Sequence, residues 1–212
     1  MKNPIIKNGL VLALFAMLCT GLVAFIDKAT EQKIEQQKQA QRLKVLSQIV
    51  PSSIHDNKLT ASCTLISAPN VLGTDEAQQA FIAKKDGKAT AIAIETIAPD
   101  GYNGKIKLVM AVNEQGRLLG VRTLTHNETP GLGDKIELTK SDWVLSFVNK
   151  YISNNNRKTW KVKKDGGAFD QFTGATITPR AYVKSVYKTL DYVIQHFDQI
   201  VHSTSSCEEN HG

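Results

Sequence analysis

The chain is short of cysteine, of aromatic residues and of clustered charge, and each shortage narrows its function. Three cysteines occur in 212 residues, Cys19, Cys63 and Cys207, and none are at CxxC or metal-ligand spacing, so neither a zinc site nor thioredoxin-like chemistry is indicated. Aromatic residues make up 7% of the chain, and among scattered lysines only Lys161, Lys163 and Lys164 crowd around a ring, Trp160. A nucleic-acid groove needs basic groups on one face with stacking aromatics, so the formal charge of +6 is read as a solvated surface and no nucleic-acid partner is expected. At 42% hydrophobic and 22% charged residues the composition is that of a globular protein, with length for one domain and an appendage.

Charge is missing altogether from Gly9 to Ile26, GLVLALFAMLCTGLVAFI. A cleavable signal has an apolar region of about 7–15 residues and a small-x-small site. This run is longer and passes straight into Asp27 and Lys28, so a retained transmembrane helix is expected at 9–26 behind a short segment 1–8. Cys19, inside it, is a passive small hydrophobe. Counting charge leaves the orientation open, because Lys2 and Lys7 before the span face Lys28, Lys33, Lys38, Arg42 and Lys44 after it. Residues 30–50 contain neither Gly nor Pro and favour helix, Val45, Ile49 and Val50 form a small apolar patch, and Pro51 stops the run. Residues 27–50 are therefore read as a helical stalk.

Beyond the stalk the period shortens to two. Phe81–Lys85 and Ala89–Ile97 flank Asp86-Gly87 as a hairpin. Ile106, Leu108, Met110 and Val112 alternate, Asn113 to Gly116 makes a turn, and Leu119, Val121 and Thr123 continue the pattern. A short helix after Ser141 is expected to bury Val144, Phe147 and Val148. From Pro179 onward Val183, Val186, Tyr187, Leu190, Val193, Ile194, Phe197, Ile200 and Val201 fall at helical spacing, with Lys184, Lys188, Asp191 and Gln195 opposite. The fold class is α+β, an antiparallel sheet with helices covering one face, over residues 51–202. Residues 203–212, polar and serine-rich, are expected to be disordered. Whether Cys63 and Cys207 form a disulfide is left open.

The last helix begins after Asp170-Gln171-Phe172-Thr173-Gly174-Ala175-Thr176-Ile177-Thr178. Thr178 reads as its N-cap and Pro179 as its first residue. Free N–H groups and the helix dipole there favour a phosphate, Gly174 and Ala175 add little bulk, Thr173 and Thr176 supply hydroxyls, and Arg180 could reach an anion. By itself the run is more readily a Gly-containing loop with a threonine cap.

Three stretches together are more specific. The Thr173–Thr176 run resembles the (S/T)GAT signature of FMN-binding domains in the G subunit of Rnf/Rsx electron-transport complexes. Gly101-Tyr102-Asn103-Gly104 precedes a strand as in that family, and His126-Asn127-Glu128-Thr129-Pro130-Gly131-Leu132-Gly133 resembles its ETPGLG loop. The resemblance covers nearly the whole chain. It implies FMN held covalently as a phosphoester on Thr176, with Thr173, Gly174 and Ala175 as phosphate-loop residues. Glu128, Thr129, Pro130, Gly131 and Leu132 would wall the flavin, with Tyr102 either stacking nearby or purely structural. Asp170 either helps a transferase recognise the site or forms a turn. Trp143 is expected in the core, and His126 is expected to be solvated rather than catalytic. The implied function is an electron-transfer subunit of an oxidoreductase complex, relaying electrons and coupling ferredoxin/NAD(H) redox to ion translocation or keeping a redox regulator reduced. The implied partners are the other membrane and peripheral subunits and an FAD-dependent flavin (FMN) transferase. The implied location is the inner membrane of a Gram-negative bacterium, with segment 1–8 cytoplasmic and the domain periplasmic. The C subunit of the sodium-translocating NADH:quinone reductase is similar. A non-redox anchored module binding a phosphorylated ligand and a membrane-tethered assembly factor are the rivals of other kinds.

Overall fold

The computed structural model describes residues 3–203 and Cys207, without the side chains of residues 32, 35, 36, 38 and 39. Helix α1 runs from Pro4 to Ile49, and the chain divides into compact units 1–42 and 43–212. Within the first unit, Pro4–Glu31 is long and apolar enough to cross a membrane, with a mean hydropathy of 2.5 in its most apolar window and none of that window buried. Phe15 and Phe25 are 67% and 71% exposed, as side chains facing lipid would be. The 28 helical residues rise about 42 Å, enough for a hydrocarbon core of about 30 Å. The helix outruns the apolar segment 9–26 because nothing in the flanking sequence breaks it.

The second unit is built on strands β1 (Cys63–Ile66), β2 (Gln78–Lys85), β3 (Lys88–Gly101), β4 (Gly104–Asn113) and β5 (Leu118–Thr125), with a single-turn helix α2 (Pro69–Leu72) after β1. Among the described residues they form one antiparallel sheet in sequence order. The β2–β3 turn takes φ of 50° at Asp86 and 78° at Gly87, the mirror-image turn that matches strand twist. The β3–β4 turn closes at Gly101 opposite Gly104, leaving Tyr102 and Asn103 at its tip.

Alternation puts Ile92, Ile94, Leu108, Met110 and Val112 on one face. Helix α3 (Ile177–Val201) covers it, burying Tyr182, Val183, Val186, Leu190 and Val193. The helix carries a non-helical residue, His196, at φ −122° and ψ 17°. The sheet is not covered on one face alone. Ala91, Ala93, Val109 and Ala111 point the other way and pack with Leu46, Ile49 and Val50 at the end of α1. Small strand residues let that helix end lie close: a Cβ on Gly120 would stand 2.9 Å from Ile49 Cγ2. The last turns of the expected stalk are therefore part of the domain core. Leu119 leaves the alternation because a bulge pairs Val112 with Leu118 and Ala111 with Gly120. Leu118 fills the first core, and Leu119 packs against the second.

The segment after Ser141 is a 3-10 helix, Asp142–Phe147, whose first turn is capped by Ser141 Oγ accepting from Trp143 N–H. It buries Trp143, Val144 and Phe147. Val148 does not join them: the helix ends before it, its backbone is extended, and it is 37% exposed. Trp143 is a core residue, edge-on to Phe147, Phe172 and Tyr182, with its Nε1–H donated to the Asp170 carbonyl. Burial pushes the Tyr182 phenol well above its ordinary range. Cys63 and Cys207 are disulfide-bonded, with Cα atoms 5.5 Å apart, and Thr64 donates to Ser203 Oγ at 2.9 Å. Ser203 and Cys207 of the tail are thus tied to the edge strand β1, and residues 204–206 and 208–212 lie outside the described residues.

Ile49→Ala is expected to destabilise the domain by about 2–5 kcal/mol through the cavity left against the sheet. Ile34→Ala, on an exposed side chain of the same helix, should change stability by less than about 0.5 kcal/mol. Denaturant unfolding in detergent, followed by Trp143 and Trp160 fluorescence, measures both.

Candidate functional site

The three stretches singled out in the sequence meet around one cleft of about 220 Å³. The β3–β4 turn contributes Tyr102, the loop after β5 contributes Glu128, Thr129, Leu132 and Gly133, and the approach to α3 contributes Gly174 through Thr178. Tyr102 is 65% exposed. Thr173, Pro130 and Gly131 are exposed and do not line the cleft. Gly133, Ile177 and Thr178 do line it, beyond the residues expected from sequence.

Local geometry at α3 follows from a turn. Ala175 N–H donates to the Phe172 carbonyl at 3.1 Å, and Gly174 takes φ +79° at the turn's third position, where an L side chain would be strained. The first residue in the helix is Ile177, so Thr178 is not its N-cap and Pro179 is not its first position. Thr176 holds the cap position, with φ −81° and ψ −27°, and its side chain makes no capping bond. Its hydroxyl is therefore not turned back on its own helix. Pro179 is third in the helix, still within the turn whose N–H groups have no intrahelical acceptor, so its missing donor is harmless there. Arg180 does not turn to an anion at the helix start. Its Nε and Nη2 donate to both carboxylate oxygens of Asp165 at 2.6 and 2.8 Å, and that bond holds the Asp165 carboxyl below its usual range. Asp170 pairs with Lys163 Nζ at 2.6 Å.

Glu128 explains why the three stretches converge. Its side chain is buried, 4% exposed. Oε1 accepts the Asn103 N–H at 3.1 Å, and Oε2 accepts the Thr178 hydroxyl. Thr178 thus spends its hydroxyl on the loop rather than on a cap. The Asn103 side chain adds a bond to the Asn127 carbonyl at 2.7 Å. Glycine makes room for the carboxyl. A Cβ on Gly101 would stand 2.8 Å from Glu128 Oε1, and one on Gly133 would stand 2.9 Å from both Glu128 Oε2 and Thr178 Oγ1. His126, expected to be solvated, is instead 11% exposed at its side chain and 2.7 Å from Glu137 Oε1. Its Nδ1 accepts the Glu128 N–H. The spacing of two residues between His126 and Glu128 was visible in the sequence, but nothing there showed Glu137 folding back to them.

The arrangement offers a half-buried threonine at a helix N-terminus, whose first-turn N–H groups have no intrahelical acceptor, with a tyrosine and a leucine also lining the cleft. Such a place can hold a phosphate at one end and a flat apolar group at the other. Comparison with known proteins agrees. Residues 101–191 match the FMN-binding domain family, which makes this a flavin-binding class of domain. Residues 1–49 match the RnfG N-terminal region. The chain is 58% identical over 211 residues to the G subunit of the ion-translocating oxidoreductase complex of Shewanella oneidensis, covering 100% of both chains. It is 54% identical to the protein of the same name from Vibrio parahaemolyticus, covering 98% of each, and 53% identical to that of Vibrio cholerae, covering 98% of this chain and 99% of the relative. The chain belongs to the family formed by the G subunits of ion-translocating oxidoreductase complexes.

Gly133→Ala tests the packing around Glu128. The added methyl must displace the Glu128 side chain from Thr178, so a destabilisation of about 1–3 kcal/mol is expected. Thermal unfolding of the purified chain would measure it; an unchanged midpoint would mean that the loop gives way freely.

Proposed function

We propose that this chain is the membrane-anchored flavoprotein subunit of an Rnf/Rsx-type electron-transport complex, and that it relays electrons through FMN joined by its phosphate to the Thr176 hydroxyl. The observation that carries the proposal is the convergence of the Tyr102 turn, the Glu128–Gly133 loop and the Thr176 helix start on one cleft, within the segment that matches the FMN-binding domain. Esterified FMN retains one phosphate charge. The N–H groups and dipole of α3 suit that charge, and no lysine cluster is required. Gly174 and Ala175 keep side-chain bulk away from the phosphate, with Thr173 orienting the acceptor hydroxyl from the solvent side. Thr129, Leu132 and Tyr102 line the cleft and would hold the flavin, with Pro130 and Gly131 shaping the same loop. Bound there, FMN supplies one- and two-electron redox chemistry, and the protein holds it and sets its potential. Maturation requires a flavin transferase that passes the FMN half of FAD to Thr176 and releases AMP.

The apolar helix Pro4–Glu31 serves as a single membrane anchor. A periplasmic domain is the reading we favour, and the Cys63–Cys207 disulfide supports it, because such bonds persist in oxidising compartments. Attachment by a covalent bond suits a compartment from which a dissociable flavin would be lost. Within its complex the relay couples ferredoxin/NAD(H) redox to ion movement, or keeps a redox regulator reduced. The C subunit of the sodium-translocating NADH:quinone reductase is the nearer rival. Full-length identities of 58% and 53% to proteins named as the G subunit favour the first reading.

Two measurements test this. Co-expressed with an active flavin transferase, the wild-type chain should fluoresce in a denaturing gel. Thr176→Ala should abolish the signal, and Thr173→Ala should weaken it without abolishing it. Unchanged fluorescence in Thr176→Ala would remove the attachment assignment. An alkaline phosphatase fused at the C-terminus should be active; an expressed but inactive fusion would contradict the periplasmic placement.

A further inference from the structure

His126 has no part in holding a flavin directly, yet both its ring nitrogens are engaged. Nδ1 receives the Glu128 N–H at 3.0 Å, and Nε2 lies 2.7 Å from Glu137 Oε1. A backbone N–H can only donate, so Nδ1 is the unprotonated nitrogen. The ring proton therefore sits on Nε2 and is given to Glu137. Glu137 is held in turn by the Thr139 hydroxyl at 3.1 Å, and the bond from His126 is the main reason its carboxyl titrates below the ordinary range. One tautomer and one ring orientation result, fixed from the solvent side, where Glu137 is 38% exposed.

A chain of bonds thus runs inward from Thr139 through Glu137 and His126 to the Glu128 main chain. The Glu128 side chain continues it to Asn103 of the Tyr102 turn and to Thr178 of α3. A proton relay would need each member to accept and pass on a proton, and the backbone amide between His126 and Glu128 does not. What the chain of bonds can transmit is position. We infer that His126, oriented by Glu137, is a positioning residue for the flavin cleft: its Nδ1 fixes the Glu128 main chain, and through the Glu128 carboxyl it sets the Tyr102 turn against the helix end that carries Thr176. The inference rests on the flavin reading of that cleft. Neither side chain lines the cleft, so any effect on the flavin must act through Glu128.

Asparagine and glutamine separate the two ring contacts, because the side-chain amide of Asn reaches the place of Nδ1 and that of Gln the place of Nε2. The full-length chain bearing FMN is purified in detergent as wild type, His126→Asn, His126→Gln and Glu137→Ala, and its visible circular dichroism and midpoint potential are recorded. His126→Asn should keep the wild-type spectrum and potential. His126→Gln should change both, and Glu137→Ala should change them less and in the same direction. In the flavin-free chain, made without the transferase, deuterium exchange at the Glu128 amide should quicken roughly tenfold in His126→Gln and stay near wild type in His126→Asn. Wild-type flavin properties in His126→Gln would overturn the positioning role, leaving a purely structural bond if exchange alone had quickened. Equal disturbance by His126→Asn and His126→Gln would overturn the assignment to Nδ1. A wild-type chain that takes no FMN from an active transferase would instead defeat the flavin reading itself, and the positioning role with it.

Discussion

The carboxyl group of Glu128 sits almost out of water, 4% exposed, and its two oxygens are satisfied from places far apart in sequence. One accepts from Asn103, 25 residues earlier, and the other from Thr178, 50 residues later. A buried carboxyl left without partners costs several kcal/mol, so the turn and the helix start are drawn to it together. Glycine at 133 follows from the same requirement, since a Cβ there would crowd the carboxyl, while glycine at 101 answers first to the tight turn, where a Cβ would collide with the Gly104 carbonyl oxygen and stand 2.8 Å from Glu128 Oε1. The cleft is the gap that remains where these three segments meet. Its shape is inherited from a hydrogen-bonded group that also forms part of its wall.

Much of the fold was legible in the sequence because the period of the apolar residues is strong. Ile106, Leu108, Met110 and Val112 alternate cleanly, Asp86-Gly87 announces a mirror-image turn, and α3 carries an apolar stripe along one side. The second face of the sheet was hidden because it is made of Ala91, Ala93, Ala111 and Gly120, small residues that look like gaps between isoleucines. They are small because the end of α1 packs on them. A bulge displaced Leu119 for a reason that no local pattern records. The disulfide joins cysteines 144 residues apart, a pairing that depends on the finished fold.

The site divides in the same way. Its segments were legible as motifs, and Tyr102, Glu128, Thr129, Leu132, Gly174, Ala175 and Thr176 all reach the cleft. Their mutual bonds were not legible, because each joins residues distant in sequence. Thr178 before Pro179 looks like a helix cap, and only the fold shows its hydroxyl committed to Glu128. His126 reads as a surface histidine in the sequence, and only the fold sets Glu137 against it. Under the proposed function, attachment and tuning would be separate tasks in this domain. Thr176, at the start of a long helix packed on the sheet, offers a fixed point of attachment for the cofactor we propose. The walls that would face its ring are held by bonds that begin at the surface and end at Glu128.

The most direct test of this account is a double-mutant cycle between Glu128→Ala and Thr178→Val, read by denaturant unfolding of the purified chain. If the carboxyl ties the loop to the helix that bears Thr176, the two residues should couple by about 1.5–3 kcal/mol, the range for a hydrogen bond to a charged group. Additive effects, with coupling indistinguishable from zero, would contradict it.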